Sequence, residues 1–220
     1  MRLSTTSLIA VTLLASLGAA CGRSDLGRSP SQAVITTIEA ASGAEPDKFS
    51  GTLMSDVLTL VNATVGGQQV KVPTIFNDLG RAQFQVVLRD AGSLAAAQPS
   101  AMNSVTFTRY RVTYRRTDGR NTQGVDVPYA FDSAFTLTVP AGGEGTAGFQ
   151  IVRHVAKEEA PLSALVNRSR PPIGSRPQPD FQPIIDTIAE VQFFGQDLAG
   201  NEVVVSGNIG VSFGDFGDPE

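Results

Sequence analysis

The chain has 220 residues, a length that suits one large β domain or two small ones. Its 21 acidic residues outnumber its 17 basic residues, which argues against a nucleic-acid partner because nucleic-acid-binding domains carry a basic excess. One cysteine and one histidine exclude metal sites built from several thiolates or imidazoles, and we expect no cofactor. With 22 glycines and 13 prolines, the composition favours many short strands joined by frequent turns.

The first 20 residues are typical of a secretory signal. Arg2 is the only charged residue in them, an apolar run follows from Leu8 to Leu17, and small residues precede Cys21. The apolar run is too short to cross a bilayer as a mature helix. Either Cys21 belongs to the signal's processing site, or an ordinary secretion signal happens to have a cysteine nearby.

The stretch Leu17-Gly18-Ala19-Ala20-Cys21 resembles the lipobox of bacterial lipoproteins. The resemblance implies that the chain is cut before Cys21 and that Cys21 then carries a diacylglycerol. The mature protein would be held to a membrane by acyl chains, with no transmembrane helix. Two or more chains hold stably where one holds weakly. Gly22, rather than an aspartate, follows the cysteine, and by the same resemblance this implies an outer-membrane location facing the periplasm or the cell surface.

Residues 21–32 are small and polar, and we interpret them as a flexible tether that raises the domain from the membrane. The alternative, an ordered first strand, is disfavoured because nothing in the segment alternates. The folded domain is predicted to span residues 33–216, with residues 217–220 as a tail.

The first half of the domain predicts four strands. The β-branched run at 34–38 predicts the first, residues 53–61 predict the second, and Gly66-Gly67 turns the chain into a short third strand around residues 70–72. Residues 77–80 predict a turn before a fourth strand, in which Phe84, Val86 and Leu88 share one face. Residues 91–102 predict a loop.

Val105 to Arg116 predicts the longest polar-patterned strand, and Asp118-Gly119 marks the turn after it. Two sets of side chains alternate along the strand. One face carries Tyr110, Val112 and Tyr114, and the opposite face carries Arg109, Arg111, Thr113 and Arg115.

Residues 125–129 predict a short return strand, followed by strands at 131–139 and 149–155, the last of which places His154 in a structural role. Residues 161–166 predict one helical turn with a proline at its start. Residues 167–183 are rich in proline and arginine and predict a long loop, either functional or disordered.

The best-patterned segment closes the domain. Ala189, Val191 and Phe193 alternate with Glu190, Gln192 and Phe194, Asp197 to Asn201 forms a turn, and the strand from Val203 to Phe213 alternates with period two. This hairpin resembles the final hairpin of bacterial immunoglobulin-like and fibronectin-III-like domains. The resemblance implies an all-β fold, an immunoglobulin-like antiparallel β-sandwich of about seven to nine strands.

The arginine-rich run from Arg109 to Arg120, together with this hairpin, also resembles uncharacterised bacterial lipoproteins. That family carries no assigned activity, so the resemblance supplies no site residues.

Three short motifs match functional patterns without their context. Residues 143–148 have the spaced glycines of a dinucleotide site, but a strand is predicted to follow rather than a helix, so we interpret them as a turn. Residues 210–214 match a nucleophile elbow, but the only histidine lies upstream. Residues 215–217 match a kinase triplet that lacks its companion motifs. We predict no catalytic residues.

Two weaker signals point to binding. Arg109, Arg111 and Arg115 could recognise a carboxylate, phosphate or acidic partner, or the face could be solvated and paired with Asp118, Asp126 and Asp132. Asp197, Asn201 and Glu202, with help from Asp215 or Asp218, could hold calcium, although the same residues are ordinary in turns.

The sequence thus predicts a lipid-anchored cell-envelope protein with a non-enzymatic interaction or structural role, whose partners are the membrane and an envelope protein or glycan. The alternative is an extracytoplasmic binding module for a small ligand or glycan, using the arginine face with Tyr110, Tyr114 or Tyr129. An enzyme would require an acid–base pair, such as Asp118 and Asp126, that only the fold could assemble.

Overall fold

The computed structural model describes residues 29–89, 100–166 and 184–216. These residues form an all-β fold of packed sheets, as the sequence predicts. In chain order the strands are β1 (Ser31–Ala41), β2 (Thr52–Asp56), β3 (Thr59–Val65), β4 (Gln68–Thr74), β5 (Asp78–Leu88), β6 (Val105–Arg115), β7 (Phe131–Val139), β8 (Glu144–Val152), β9 (Ile184–Asp197) and β10 (Glu202–Gly214). A 3₁₀ turn spans Ala101–Asn103, and two short helices are α1 (His154–Glu158) and α2 (Ser163–Val166).

The strands form two packed sheets and a separate hairpin. One sheet has the order β1-β5-β8, and the other has the order β2-β10-β9-β6-β7. All neighbours are antiparallel except β2, which pairs in parallel with the last strand, β10. Strands β3 and β4 pair only with each other among the described residues.

Aromatic side chains fill the space between the two sheets. The ring centroid of Phe193 on β9 lies 4.9 Å from that of Phe84 on β5 and 5.0 Å from that of Phe135 on β7. Edge-to-face and tilted contacts of this kind add to the stabilisation that burial of the rings provides. The buried aromatic residues that meet around Phe193 are Phe84, Phe107, Tyr110, Phe135 and Phe149.

The predicted closing hairpin is confirmed. Residues 184–196 pair one by one with residues 202–214, and the Asp197 amide donates to the Asn201 carbonyl at 3.0 Å to close the turn. Gly200 adopts a φ of +83°, which a residue with a side chain rarely adopts. The inward face of β10 carries Val203, Ile209, Val211 and Phe213, all buried.

The turn predicted at residues 77–80 is wrong, because β5 begins at Asp78, which is fully buried. Aspartate is common in turns, but here its carboxylate has partners inside the fold. Gly80 also belongs to the strand, where a Cβ would lie 2.4 Å from the Phe149 ring, so the glycine makes room for a neighbouring side chain. Both residues that suggested a turn are therefore explained by packing.

Three further expectations between residues 125 and 155 are corrected. Residues 125–129 form no strand but a loop with one isolated bridge between Gln123 and Val127. The glycine-rich residues 143–148 are not a turn, since β8 already begins at Glu144. His154 lies at the start of α1 rather than in a strand, and its Nδ1 is 3.1 Å from Oδ1 of Asn77.

The predicted tether is too long at its C-terminal end, because β1 begins at Ser31. Ser29 and Ser31 are buried, and the Ser31 hydroxyl donates to the Asn103 carbonyl at 2.7 Å. The signal at 1–20, Cys21 with the rest of the tether to residue 28, the loop at 167–183 and the tail at 217–220 lie outside the described residues. Within the described ranges no helix is long and apolar enough to cross a membrane.

Candidate functional site

The outer face of the five-stranded sheet carries the predicted arginines. Arg109 Nη1 lies 3.1 Å from one carboxylate oxygen of Asp132, and Arg111 Nη1 lies 3.2 Å from the other. Arg115 lies 3.7 Å from Glu190 on β9. The structure therefore shows the paired and solvated face that was one of the two alternatives, with Asp132 as its main carboxylate.

The other two predicted partners of this face are engaged elsewhere. Asp118 pairs with Arg116 and Arg120, and the Arg116 guanidinium holds the pKa of Asp118 well below its ordinary value. The Asp126 carboxylate accepts a hydrogen bond from the Thr122 amide at 3.1 Å.

Tyr110 and Tyr114 do not belong to the ligand-binding face, contrary to the prediction. Each is 2% exposed, because the alternation of β6 that turns the arginines outward turns both tyrosines into the core. The Tyr110 hydroxyl accepts from the Gln150 amide, and the Tyr114 hydroxyl donates to the Ile151 carbonyl. Burial raises the pKa of Tyr114 far above its ordinary value. Both side chains are structural.

A cleft lies beside Arg109, where β6 has a bulge between Phe107 and Arg109. The bulge places Thr108 and Arg109 on the same outer surface. The cleft has a volume of about 310 Å³ and is lined by Thr108, Arg109, Phe194, Gly195, Gln196, Glu202 and Val204.

Strand pairing explains why these residues meet. Arg109, Phe194 and Val204 are paired across β6, β9 and β10, and the pair of Gln196 and Glu202 lies two residues along the same face. The Arg109 guanidinium lies 3.9 Å above the centre of the Phe194 ring. Gly195 allows β6 to approach at the bulge, since a Cβ there would lie 2.3 Å from the Thr106 carbonyl oxygen.

Part of this cleft was missed by the sequence reasoning. Arg109 was predicted as a ligand-binding residue, and Glu202 was predicted only as a calcium ligand. The signal for the cleft was Phe194, an aromatic residue on the polar side of an otherwise clean alternation. Only the register of three strands shows that Phe194 stands beside Arg109.

The predicted calcium site is instead the framework of a turn. Asp197 Oδ1 accepts from the amides of Ala199 and Asn201, while Oδ2 accepts from the Ser29 hydroxyl and the Asn201 side chain. Both oxygens are thereby used by the protein itself. No group of three or more His, Cys, Asp or Glu side chains that could hold a metal ion is found within the described ranges, and Asp218 lies outside them.

The β3–β4 hairpin, which we call the ribbon (residues 59–74), stands apart from both sheets. Its pairing places one set of apolar side chains on one face, namely Val61, Ala63, Val65, Val70 and Val72. Val65 is 62% exposed and Val70 and Val72 are also exposed, whereas Val61 and Ala63 are half-buried, so this face is largely open to solvent at Val65, Val70 and Val72. Lys71 is the only charged residue of the ribbon.

A buried polar cluster holds the base of the ribbon. Lys157 of α1 donates to Asp78 Oδ1 at 2.9 Å and to the Asp56 carbonyl at 2.8 Å. Asp56 in turn accepts from the hydroxyl of Thr59, the first residue of the ribbon. The sequence reasoning missed this cluster, because its members are far apart in the chain.

The charge of Asp78 is tuned by opposing effects. Burial raises its pKa, while the Lys157 ammonium, the Ser55 hydroxyl and the Gly43 amide act in the opposite direction. Neither Asp78 nor Lys157 is exposed by more than 1%. The pair is therefore inaccessible to solvent, and we assign it a structural role.

A comparison of the chain with protein-family models, with curated proteins and with solved structures finds no match.

Proposed function

We propose that this protein is a lipid-anchored, non-enzymatic interaction module of the bacterial cell envelope, and that the ribbon binds a partner envelope protein. The observation that carries the proposal is the ribbon's exposed apolar face. An antiparallel sheet normally buries its apolar face on a core, so a face of this kind without cover favours an interaction site.

The edges of the ribbon support a protein partner. An isolated two-stranded hairpin is only marginally stable in water, and a third strand or a packed surface stabilises it. Edge strands are usually protected from new pairing by charged residues or prolines, and the ribbon has only Lys71 and, near its base, Pro73. Its backbone and its valines therefore suit addition of a partner strand.

A lipid surface suits the ribbon less well. Peripheral membrane elements combine several basic residues with aromatic or large aliphatic side chains that enter the interface. The ribbon has one basic residue and no aromatic residue. Membrane attachment is instead assigned to Cys21, whose place after an apolar run and small residues supports lipidation.

The finer description of the fold belongs to the same proposal. Two packed sheets and a long closing hairpin support an immunoglobulin-like sandwich. Such sandwiches are scaffolds that present loops and hairpins from a rigid body, which fits an interaction role.

Photocrosslinking in native membranes tests the ribbon. A photoreactive amino acid at position 70 or 72 is expected to capture one and the same envelope protein. The matched control is position 69, next to Val70 but on the opposite face of the ribbon, and Thr136 on β7 serves as an exposed control outside it. The captured protein, once purified, should bind the wild-type chain but not the Val61→Lys variant.

Three outcomes would contradict the proposal. Equal capture from positions 69, 70 and 136 would show that contact is unspecific. Capture only of lipid would make the ribbon a membrane element, and capture only of a second copy would make it a self-association surface. Circular dichroism of Val61→Lys excludes a general loss of the fold as the cause of lost binding.

A further inference from the structure

The cleft at the β6 bulge has the features of a formed site. Its residues lie on three adjacent strands of the five-stranded sheet, so their positions are set by backbone pairing rather than by a loop. Arg109 is held from two sides, by the Phe194 ring at 3.9 Å and by Asp132 at 3.1 Å. Ordering of the arginine therefore costs little entropy when a ligand arrives.

The cleft also contains polar side chains that are free to form hydrogen bonds with a ligand. Within the described part of the chain, the side chains of Gln196 and Glu202 have no hydrogen-bond or ion-pair partner. Glu202 accepts hydrogen bonds, Gln196 both donates and accepts, and the Thr108 hydroxyl does the same. Val204, 55% exposed, adds an apolar patch at the same place.

We propose that this cleft binds a neutral saccharide unit, a function that goes beyond the protein–protein role of the ribbon and depends on different residues. A sugar presents hydroxyl groups that donate and accept, together with apolar C–H faces. The cleft offers acceptors, donors and an apolar surface within about 310 Å³, at the lower end of the range for small-ligand sites.

Charge favours a neutral ligand over an acidic one. Arg109 and Arg111 share the single carboxylate of Asp132, and Glu202 brings the net charge of these four side chains to zero before any ligand binds. Glu202 lines the same cleft and repels an anion. An acidic sugar would have to displace Asp132 and approach Glu202, whereas a hydroxyl group needs neither.

A second cleft on the three-stranded sheet provides a matched comparison. It has a volume of about 270 Å³ and contains Arg81, which lies 4.2 Å above the Phe49 ring. There the Arg81 guanidinium donates twice to Glu39, and Gln83 donates to Glu144. Since these groups are used internally, this second cleft is expected to bind no sugar.

Isothermal titration of the full chain, in a detergent without a sugar headgroup, tests the proposal. The probes are neutral disaccharides (maltose, cellobiose and diacetylchitobiose) and two acidic sugars (galacturonic acid and N-acetylneuraminic acid). We expect at least one neutral disaccharide to bind. Glu202→Ala, Gln196→Ala and Arg109→Ala should each weaken that binding about tenfold, the usual effect of losing hydrogen bonds to such groups, and Arg81→Ala should leave it unchanged.

Binding of none of the neutral probes, a preference for the acidic sugars, or equal weakening by Arg81→Ala would each overturn the proposal. Thermal unfolding of every variant separates a lost contact from a lost fold, and Gln196→Ala remains informative if Arg109→Ala unfolds. None of these results bears on the ribbon, whose partner is tested by crosslinking.

Discussion

Lys157 is a buried charged residue, and its burial requires compensating contacts inside the protein. Its side chain is 1% exposed, and its ammonium group donates to the Asp78 carboxylate and to the Asp56 carbonyl. A buried ion pair contributes little net stability, but removal of one partner leaves an uncompensated charge. The pair also joins β5, α1 and the end of β2, from which the ribbon departs. We infer that the cluster keeps the ribbon in a defined direction.

Lys157→Met is expected to lower the free energy of unfolding by about 3–5 kcal/mol, because the Asp78 carboxyl then loses its charged partner in the interior. Chemical denaturation measures the loss. The double variant Lys157→Met with Asp78→Leu should be less destabilised than Lys157→Met alone, since no unpaired carboxyl remains. Equal or additive losses in the two variants would show that the pair is not energetically coupled.

At the scale of elements, the turn of the β9–β10 hairpin depends on Asp197. Burial acts to raise the pKa of Asp197, but hydrogen bonds from Asn201, Ser29 and Ala199 outweigh it, so the pKa lies below its ordinary value of 3.8. The carboxylate binds protons less readily in the folded state than in the unfolded state. It therefore contributes stability at pH values above 3.8, and this contribution is lost as the pH falls through the lower, folded value.

Asp197→Asn is expected to lower the free energy of unfolding at pH 7 by about 1–2 kcal/mol, because the neutral amide makes weaker hydrogen bonds and cannot accept from every donor. Below the ordinary carboxyl pKa the difference between variant and wild type should shrink. Denaturation between pH 2 and pH 7 measures both effects. Asp47→Asn, which removes an exposed carboxylate, is the control and should show neither. A difference that is constant over this pH range would contradict the assignment.

Local periodicity predicted the elements whose two faces differ. The tyrosines and arginines of β6 correctly predict its two faces. Neighbouring side chains of a strand point to opposite faces whatever the rest of the fold is. Strands β7, β9 and β10 followed the same rule. The same alternation should have excluded Tyr110 and Tyr114 from the ligand face, since both point away from the arginines.

Long-range contacts could not be predicted in this way. Asp78 was assigned to a turn because its charged partner, Lys157, is 79 residues away in the chain. The cleft was only half predicted for a related reason. Arg109 carries a local signal, but its neighbours Phe194 and Glu202 are set by the register of β9 and β10 against β6.

At the scale of the whole molecule, the ends of the sandwich have different roles. Ser29 donates to Asp197 at 2.7 Å, so the N-terminal chain enters at the end of the sandwich that holds the β9–β10 turn and Glu202. Asp56 pairs with Gly214 at the other end of β10, where the ribbon begins. The 13 residues of β10 separate the two ends by about 40 Å. The chain that leads from Cys21 therefore enters the domain at the end opposite the ribbon.

Membrane attachment through Cys21 is a separate part of the proposed function, and intact-mass spectrometry of the protein from native membranes tests it. We expect a mature chain that begins at Cys21 and carries a diacylglycerol, because two or more acyl chains hold a protein stably to a membrane. The Cys21→Ala variant should lose the acyl mass and leave the membrane fraction. An unmodified mature chain would contradict the anchor and make the saccharide cleft the main candidate for the function of a secreted domain.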